Sequence, residues 1–169
     1  DLRRSPDALH QALSVITDVT IRFALDAIDA GAHGVFFATQ LASYRLLAVD
    51  EYERFGKAYD LRVLAALAGK ARLSMLHAHG DDIMFDLLAD YPVEMINWHD
   101  RLTEPTLRDA ASRFPGLLVG GLNEHGALAK GDLHAIEAEV RAAIAQTGGR
   151  RPVIGPACVV PLAATEAAI

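Results

Sequence analysis

The sequence predicts an α/β fold in which five parallel strands alternate with outer helices. Three observations predict it. Apolar residues switch repeatedly between helical spacing and short continuous runs. The segments between those runs carry helical patterns rather than hairpin turns. A polar or ligand-capable side chain stands at the carboxyl end of every run. Strand–helix alternation without hairpins requires right-handed crossovers, and those make the sheet parallel.

Ser5-Pro6-Asp7 supplies an N-cap with proline at the first helical position. Leu9, Leu13, Ile16, Ile21, Ala24, Leu25 and Ile28 then recur at helical spacing until Gly31, as one long helix or two in series. Gly34-Val35-Phe36-Phe37-Ala38 is a short β-branched and aromatic run of the kind that forms a buried parallel strand. A helix from Asp50 to Ala68 precedes a second strand, Arg72 to Leu76. Asp81 to Ala89 reads as a helix, Val93 to Trp98 as a strand and Pro105 to Arg113 as a helix. Leu117 to Gly120 is the fourth strand, Asp132 to Gln146 a helix that Gly148 ends, and Pro152-Val153-Ile154 the fifth strand. A further helix is expected from Thr165.

The 169 residues are 51% hydrophobic and 22% charged, the composition of one domain with a sizeable core. A net charge of −6 and a pI near 5.6 leave no electrostatic footprint for nucleic acid or anionic membrane. No apolar stretch approaches the roughly 20 residues of a membrane span, and Asp1-Leu2-Arg3-Arg4 resembles no signal peptide. A soluble, cytoplasmic protein is expected. Cys158 stands alone and cannot form an internal disulfide, which fits a reducing compartment and leaves a thiol free. The chain begins without Met on the approach to a helix, so further residues upstream of Asp1 are expected.

Two parallel architectures fit: an open doubly wound sheet, and part of a (β/α)8 barrel, which in full needs about 250 residues. The strand ends decide between them. Thr39-Gln40 follows the first strand, His77 and His79 the second, Trp98-His99-Asp100 the third and Asn123-Glu124-His125 the fourth, while Cys158 lies beyond the fifth. Only a barrel gathers the ends of all its strands around one centre.

His77-Ala78-His79 is the most informative motif. Side chains two apart on a strand point the same way, so both imidazoles converge where the chain opens into Gly80-Asp81-Asp82. Two imidazoles at that spacing can share one ion. The competing reading makes one a hydrogen-bonded core residue and the other a loop residue. The other strand ends have ordinary readings too. Thr39-Gln40 also suits a capping pair, His99-Asp100 an Asx-type turn leading to Pro105, and Cys158 a small buried hydrophobe. His125 reads as solvated; His10, His33 and His134 read as structural.

Asp26-Ala27-Ile28-Asp29-Ala30-Gly31-Ala32-His33-Gly34, Leu76-His77-Ala78-His79-Gly80, Gly120-Gly121-Leu122-Asn123 and Gly155-Pro156-Ala157-Cys158-Val159-Val160-Pro161, in that order, resemble the C-terminal half of the uroporphyrinogen decarboxylase family. The resemblance covers nearly the whole chain. It implies that residues 1–169 are the C-terminal portion of a (β/α)8 TIM-type barrel, with the first strand here about the fourth of the barrel. The family holds two chemistries: decarboxylation of uroporphyrinogen acetate arms, and zinc-dependent methyl transfer from corrinoid carriers to thiols.

The methyltransferase branch carries His-x-Cys-Gly after the corresponding strand and a later cysteine. His77 matches the histidine, His79 replaces the first cysteine and Cys158 matches the later one. The resemblance therefore implies a zinc site of His77, His79 and Cys158 with a fourth position open to substrate. Coordination would deprotonate a substrate thiol whose free pKa is about 8.5. His99, Asp100 and Asn123 are the candidate catalytic residues and Gln40 the candidate cofactor contact. Asp82, Asp100 and Glu124 are candidate acceptors for the outer imidazole nitrogens. The expected partners are a corrinoid protein, a small thiol or tetrapyrrole, and a second copy of the chain, because a part-barrel leaves two open edges. Tetrapyrrole decarboxylation is the alternative, although Gly155-Pro156-Ala157-Cys158 lacks that branch's Gly-His-Gly turn. A non-catalytic part-barrel that binds a corrinoid or another subunit is the third reading.

Overall fold

A computed structural model describes residues 2–162 and 164; the helix expected from Thr165 lies outside the described residues. Five strands form one sheet in chain order, β1 (Phe36–Thr39), β2 (Met75–Ala78), β3 (Met95–Trp98), β4 (Leu117–Leu122) and β5 (Pro152–Pro156). Every neighbouring pair is parallel. The order and direction are those expected from crossover connections, and every described carboxyl end lies on one rim.

Proline opens α1 (Pro6–Asp29) with Asp7 in the first turn, and the helix runs unbroken to Ala30 and the left-handed Gly31 at φ +108°. Asp50 to Ala68, expected as one helix, is three pieces: α2 (Val49–Tyr52), a π-helical turn (Glu53–Lys57) and α3 (Ala58–Leu67). A π turn accommodates one residue more than an α turn and so re-aims the side chains beside it. Gly56 allows it, since a Cβ there would lie 2.4 Å from the Tyr52 ring. Of the expected helix Asp81–Ala89, only α4 (Phe85–Ala89) forms. The residues before it instead make a loop closed by the Ser43–Ile83 bridge. Thr106 caps α5 (Leu107–Arg113) by accepting from the Asp109 N–H. Asp132 does the same for α7 (Leu133–Thr147), which Gly148 ends in the left-handed region; the short α6 (Ala127–Lys130) was not expected.

The alternation of strand side chains separates two environments. On one side Leu76, Ala78, Ile96, Trp98 and Leu118 are buried in a core shared with Leu64, Phe85, Leu88 and Leu107 of the helices. On the other side the register sets Ala38, His77, Asn97, Val119 and Val153 in one row across the sheet. That second face is the concave interior of the part-barrel. β1 and β5 are its two edges, with Phe36 60% and Val153 38% exposed. On α1, Val15, Ile16, Val19 and Phe23 also remain exposed.

Candidate metal centre

β2 (Met75–Ala78) lies later in the chain than the expected Arg72 to Leu76, so His77 sits within the strand and His79 just past its end. His77 is paired in register with Asn97, and the same alternation carries His99 to the interior two residues beyond. Cys158 arrives from the turn after β5. Together His77, His79, His99 and Cys158 bring one ligand atom each to within 4.8 Å of one another. The Cys158 Sγ lies 3.6 Å from His77 Nε2 and 3.7 Å from His79 Nδ1. Ligands at tetrahedral zinc distances are separated by about 3.3–3.8 Å, so these spacings suit an ion with little movement.

The protonation of His77 follows from its neighbour. The Asn97 amide donates through Nδ2 to the carbonyls of Val119 at 2.9 Å and Pro156 at 3.2 Å. Its Oδ1 is thereby turned toward His77 Nδ1 at 2.6 Å and can only accept. Nδ1 must then carry the proton, which leaves the Nε2 lone pair facing Cys158. Burial holds the His77 imidazole below its ordinary range, against the opposing effect of the Asn97 hydrogen bond. A neutral imidazole is the ligand form.

Behind His99 lies Glu124, whose carboxylate is fully buried with Oε1 3.1 Å from His99 Nδ1. The contact is short but not aligned as a hydrogen bond. Neither ring nitrogen of His99 and neither oxygen of Glu124 has a hydrogen-bond partner among the described residues. Asp100 faces elsewhere: its Oδ1 accepts from the Gly121 N–H at 3.0 Å, and a Cβ at Gly120 would lie 2.4 Å from that oxygen. Burial raises the Asp100 carboxyl above its ordinary range, with the Gly121 hydrogen bond and Arg101 opposing.

A cavity of about 450 Å³ opens over the donors, lined by His77, His79 and Cys158 with Phe36, Met75, Val119 and Val159. Gln40 and Asn97 supply polar groups to the same lining. Phe36 stacks on His77 with ring centroids 5.5 Å apart. The wall of the cavity above this cluster of soft and borderline donors is mostly apolar.

The expected trio His77, His79 and Cys158 converges, and His99 joins it. The Asx-type reading of His99-Asp100 describes the backbone, where Leu102 N–H donates to His99 O, while the imidazole points into the cluster. Asn123 is not among the cavity lining; its Oδ1 accepts from the His125 N–H and closes the turn before α6. Of the candidate acceptors, Glu124 touches an imidazole, Asp100 bonds to β4, and the Asp82 N–H is tied to Thr103. Asn97 escaped the sequence reading because its amide bears no charge. Its position two residues before His99 on a strand was the available signal.

A parallel part-barrel with nitrogen and sulfur donors gathered at the carboxyl ends of its strands is the frame of a TIM-type barrel enzyme. The chain belongs to the uroporphyrinogen decarboxylase (URO-D) family, whose model matches residues 1–169. It is 25% identical over 157 residues to the methylcobamide:CoM methyltransferase MtaA of Methanosarcina barkeri, across 92% of this chain and 44% of that protein. A solved methyltransferase from Methanosarcina mazei superposes with a TM-score of 0.76 at 23% identity, covering 90% of this chain and 44% of its own. The chain therefore spans under half the length of the relatives it matches. No described helix is long and apolar enough to cross a membrane.

Proposed function

We propose that this chain is the metal-bearing half of a methyltransferase of the family, moving a methyl group between a corrinoid carrier and a thiol. The observation that supports this reading is the convergence of His77, His79, His99 and Cys158 under an apolar cavity. The donor chemistry fits zinc: three borderline nitrogens and one thiolate, with buried polar atoms of His99 and Glu124 left without partners. When bound, the ion would supply a Lewis acid that lowers the pKa of a thiol admitted as an added ligand or in place of one of the four donors.

The rest of the work belongs to side chains. Asn97 fixes the His77 tautomer and ring direction. Phe36, Met75, Val119 and Val159 offer apolar contact to a substrate. Gln40, exposed at the cavity edge, is placed to hydrogen-bond a polar group of carrier or substrate. The proposed partners are a corrinoid protein, a small thiol and a second copy of the chain. The exposed faces of α1 and of the edge strands are where association would occur, and sedimentation should report a dimer or larger species.

Decarboxylation of a tetrapyrrole would leave four converging donors without a use. The test is metal analysis of protein purified without chelator, beside assays of methyl transfer from methylcobalamin to a thiol and of uroporphyrinogen decarboxylation. Near-stoichiometric zinc with methyl transfer is expected. Decarboxylation by metal-free protein would overturn the proposal.

A further inference from the structure

We infer that Glu124 is a positioning residue that holds His99 as the fourth donor of the metal site, an inference that rests on the metal reading above. Glu124 is fully buried, and both its oxygens lack a hydrogen bond among the described residues. A carboxylate taken out of water without donors is costly, so folds that bury one for structural reasons provide them. This fold does so elsewhere, giving Asp60 the hydroxyls of Tyr52 and Tyr91.

The groups around Glu124 narrow its purpose. Asp100 is of like charge. Arg101 lies beside Asp100 at 3.9 Å and donates to the carbonyls of Gly121 and Glu139. His125 approaches to 3.9 Å, but its side chain is 69% exposed and free to turn to water. His99 remains, with Nδ1 at 3.1 Å and both nitrogens as unsatisfied as the carboxylate. An ion held by His99 through Nε2 would keep Nδ1–H facing Glu124, where a small rotation of the ring aligns the 3.1 Å contact as a hydrogen bond, so one event would engage both His99 nitrogens and one Glu124 oxygen. The charges agree as well. A divalent ion with one thiolate and three neutral imidazoles carries a net positive charge, and the buried carboxylate offsets it.

A structural role and this role make opposite predictions for Glu124→Gln, which keeps the shape and removes the charge. The probe is zinc alone, titrated into chelator-stripped 169-residue chain against a chromophoric chelator, with melting followed in parallel. Zinc affinity should fall about 10–100-fold, while the metal-free variant melts no lower than the metal-free parent. In a His99→Gln background the same change should have little further effect on zinc affinity, and His125→Gln should leave it near the parent's. Should Glu124→Gln not fold, Glu124→Asp keeps the charge and should retain more zinc affinity than His99→Gln. Parent-like zinc binding by Glu124→Gln, additive losses in the double variant, or an equal loss in His125→Gln would overturn the inference. A parent that binds no zinc overturns the metal reading and this inference with it, whereas a zinc-binding parent with an indifferent Glu124 overturns this inference alone.

Discussion

Two polar clusters among the described residues, both largely withdrawn from solvent, are finished differently. Beneath β1, the Asp60 Oδ2 accepts from Tyr52 at 2.9 Å and Tyr91 at 2.8 Å, the two hydroxyls lie 2.9 Å apart, and Thr39 Oγ1 lies 3.1 Å from Tyr52. No side-chain atom of that group is buried without a partner among the described residues. At the barrel mouth, His99 and Glu124 are as buried but unsatisfied. A closed network is complete within the fold and holds elements together; an open one is completed by something that binds. The closed network also braces the open one, because Thr39 O accepts the His79 N–H at 3.0 Å.

The largest expected effect falls on the open cluster. His77→Ala and Cys158→Ser should each abolish near-stoichiometric zinc, read by metal analysis, while changing the melting of metal-free protein little. Unchanged metal content in both variants would return Cys158 to a packing role and erase the contrast. Asp60→Ala should do the reverse. It strands two buried hydroxyls and should cost about 2–4 kcal/mol in denaturant unfolding, with zinc affinity of the folded protein held within a few-fold. A large loss of affinity there would show that the two clusters act as one.

Asn97→Ala lies between the regions in effect, since it frees the His77 ring without removing a donor. Zinc affinity should drop about 10-fold, accompanied by modest destabilisation from the unpaired Val119 and Pro156 carbonyls. The smallest effect is a pH dependence of the closed network. Burial raises the Asp60 carboxyl above its ordinary 3.8, with the two tyrosine hydrogen bonds opposing. As pH rises past 3.8 the unfolded chain releases that proton first, so the stability Asp60 contributes declines until the folded carboxyl has ionised too. Asp60→Asn has no such proton, and parent stability should therefore fall relative to the variant on going from acid toward neutrality. Glu51 has the opposite sign. Hydrogen bonds from Arg3 and the Ala48 N–H hold it at about 2, so its contribution is present above 4.5 and lost as pH falls toward 2.

Strand order, parallel direction and the rim on which the functional groups gather were legible in the sequence, because crossover handedness and alternation along a strand are local rules applied repeatedly. His77 and His79 were legible for the same reason: two residues on one strand must share a side. Cys158 was legible as a free thiol beyond the last strand end, and its place beside the two histidines as a match to a family pattern. Position alone left His99 divided between a turn and a role in chemistry; in the structure the backbone turns while the imidazole points into the donor cluster. The π turn after Tyr52 was invisible because the apolar spacing of Asp50 to Ala68 suits one continuous helix. Glu124 stood in the sequence only as one of three candidate acceptors, and Asn97 was not singled out, for a further reason. Their roles depend on which side chains from other strands lie within 3 Å or so of them, a matter of register and curvature across 20 or more residues. What the sequence determined was therefore each strand's facing; what the tertiary structure decided was which of the facing groups pair with one another and which converge without a hydrogen-bond partner among the described residues.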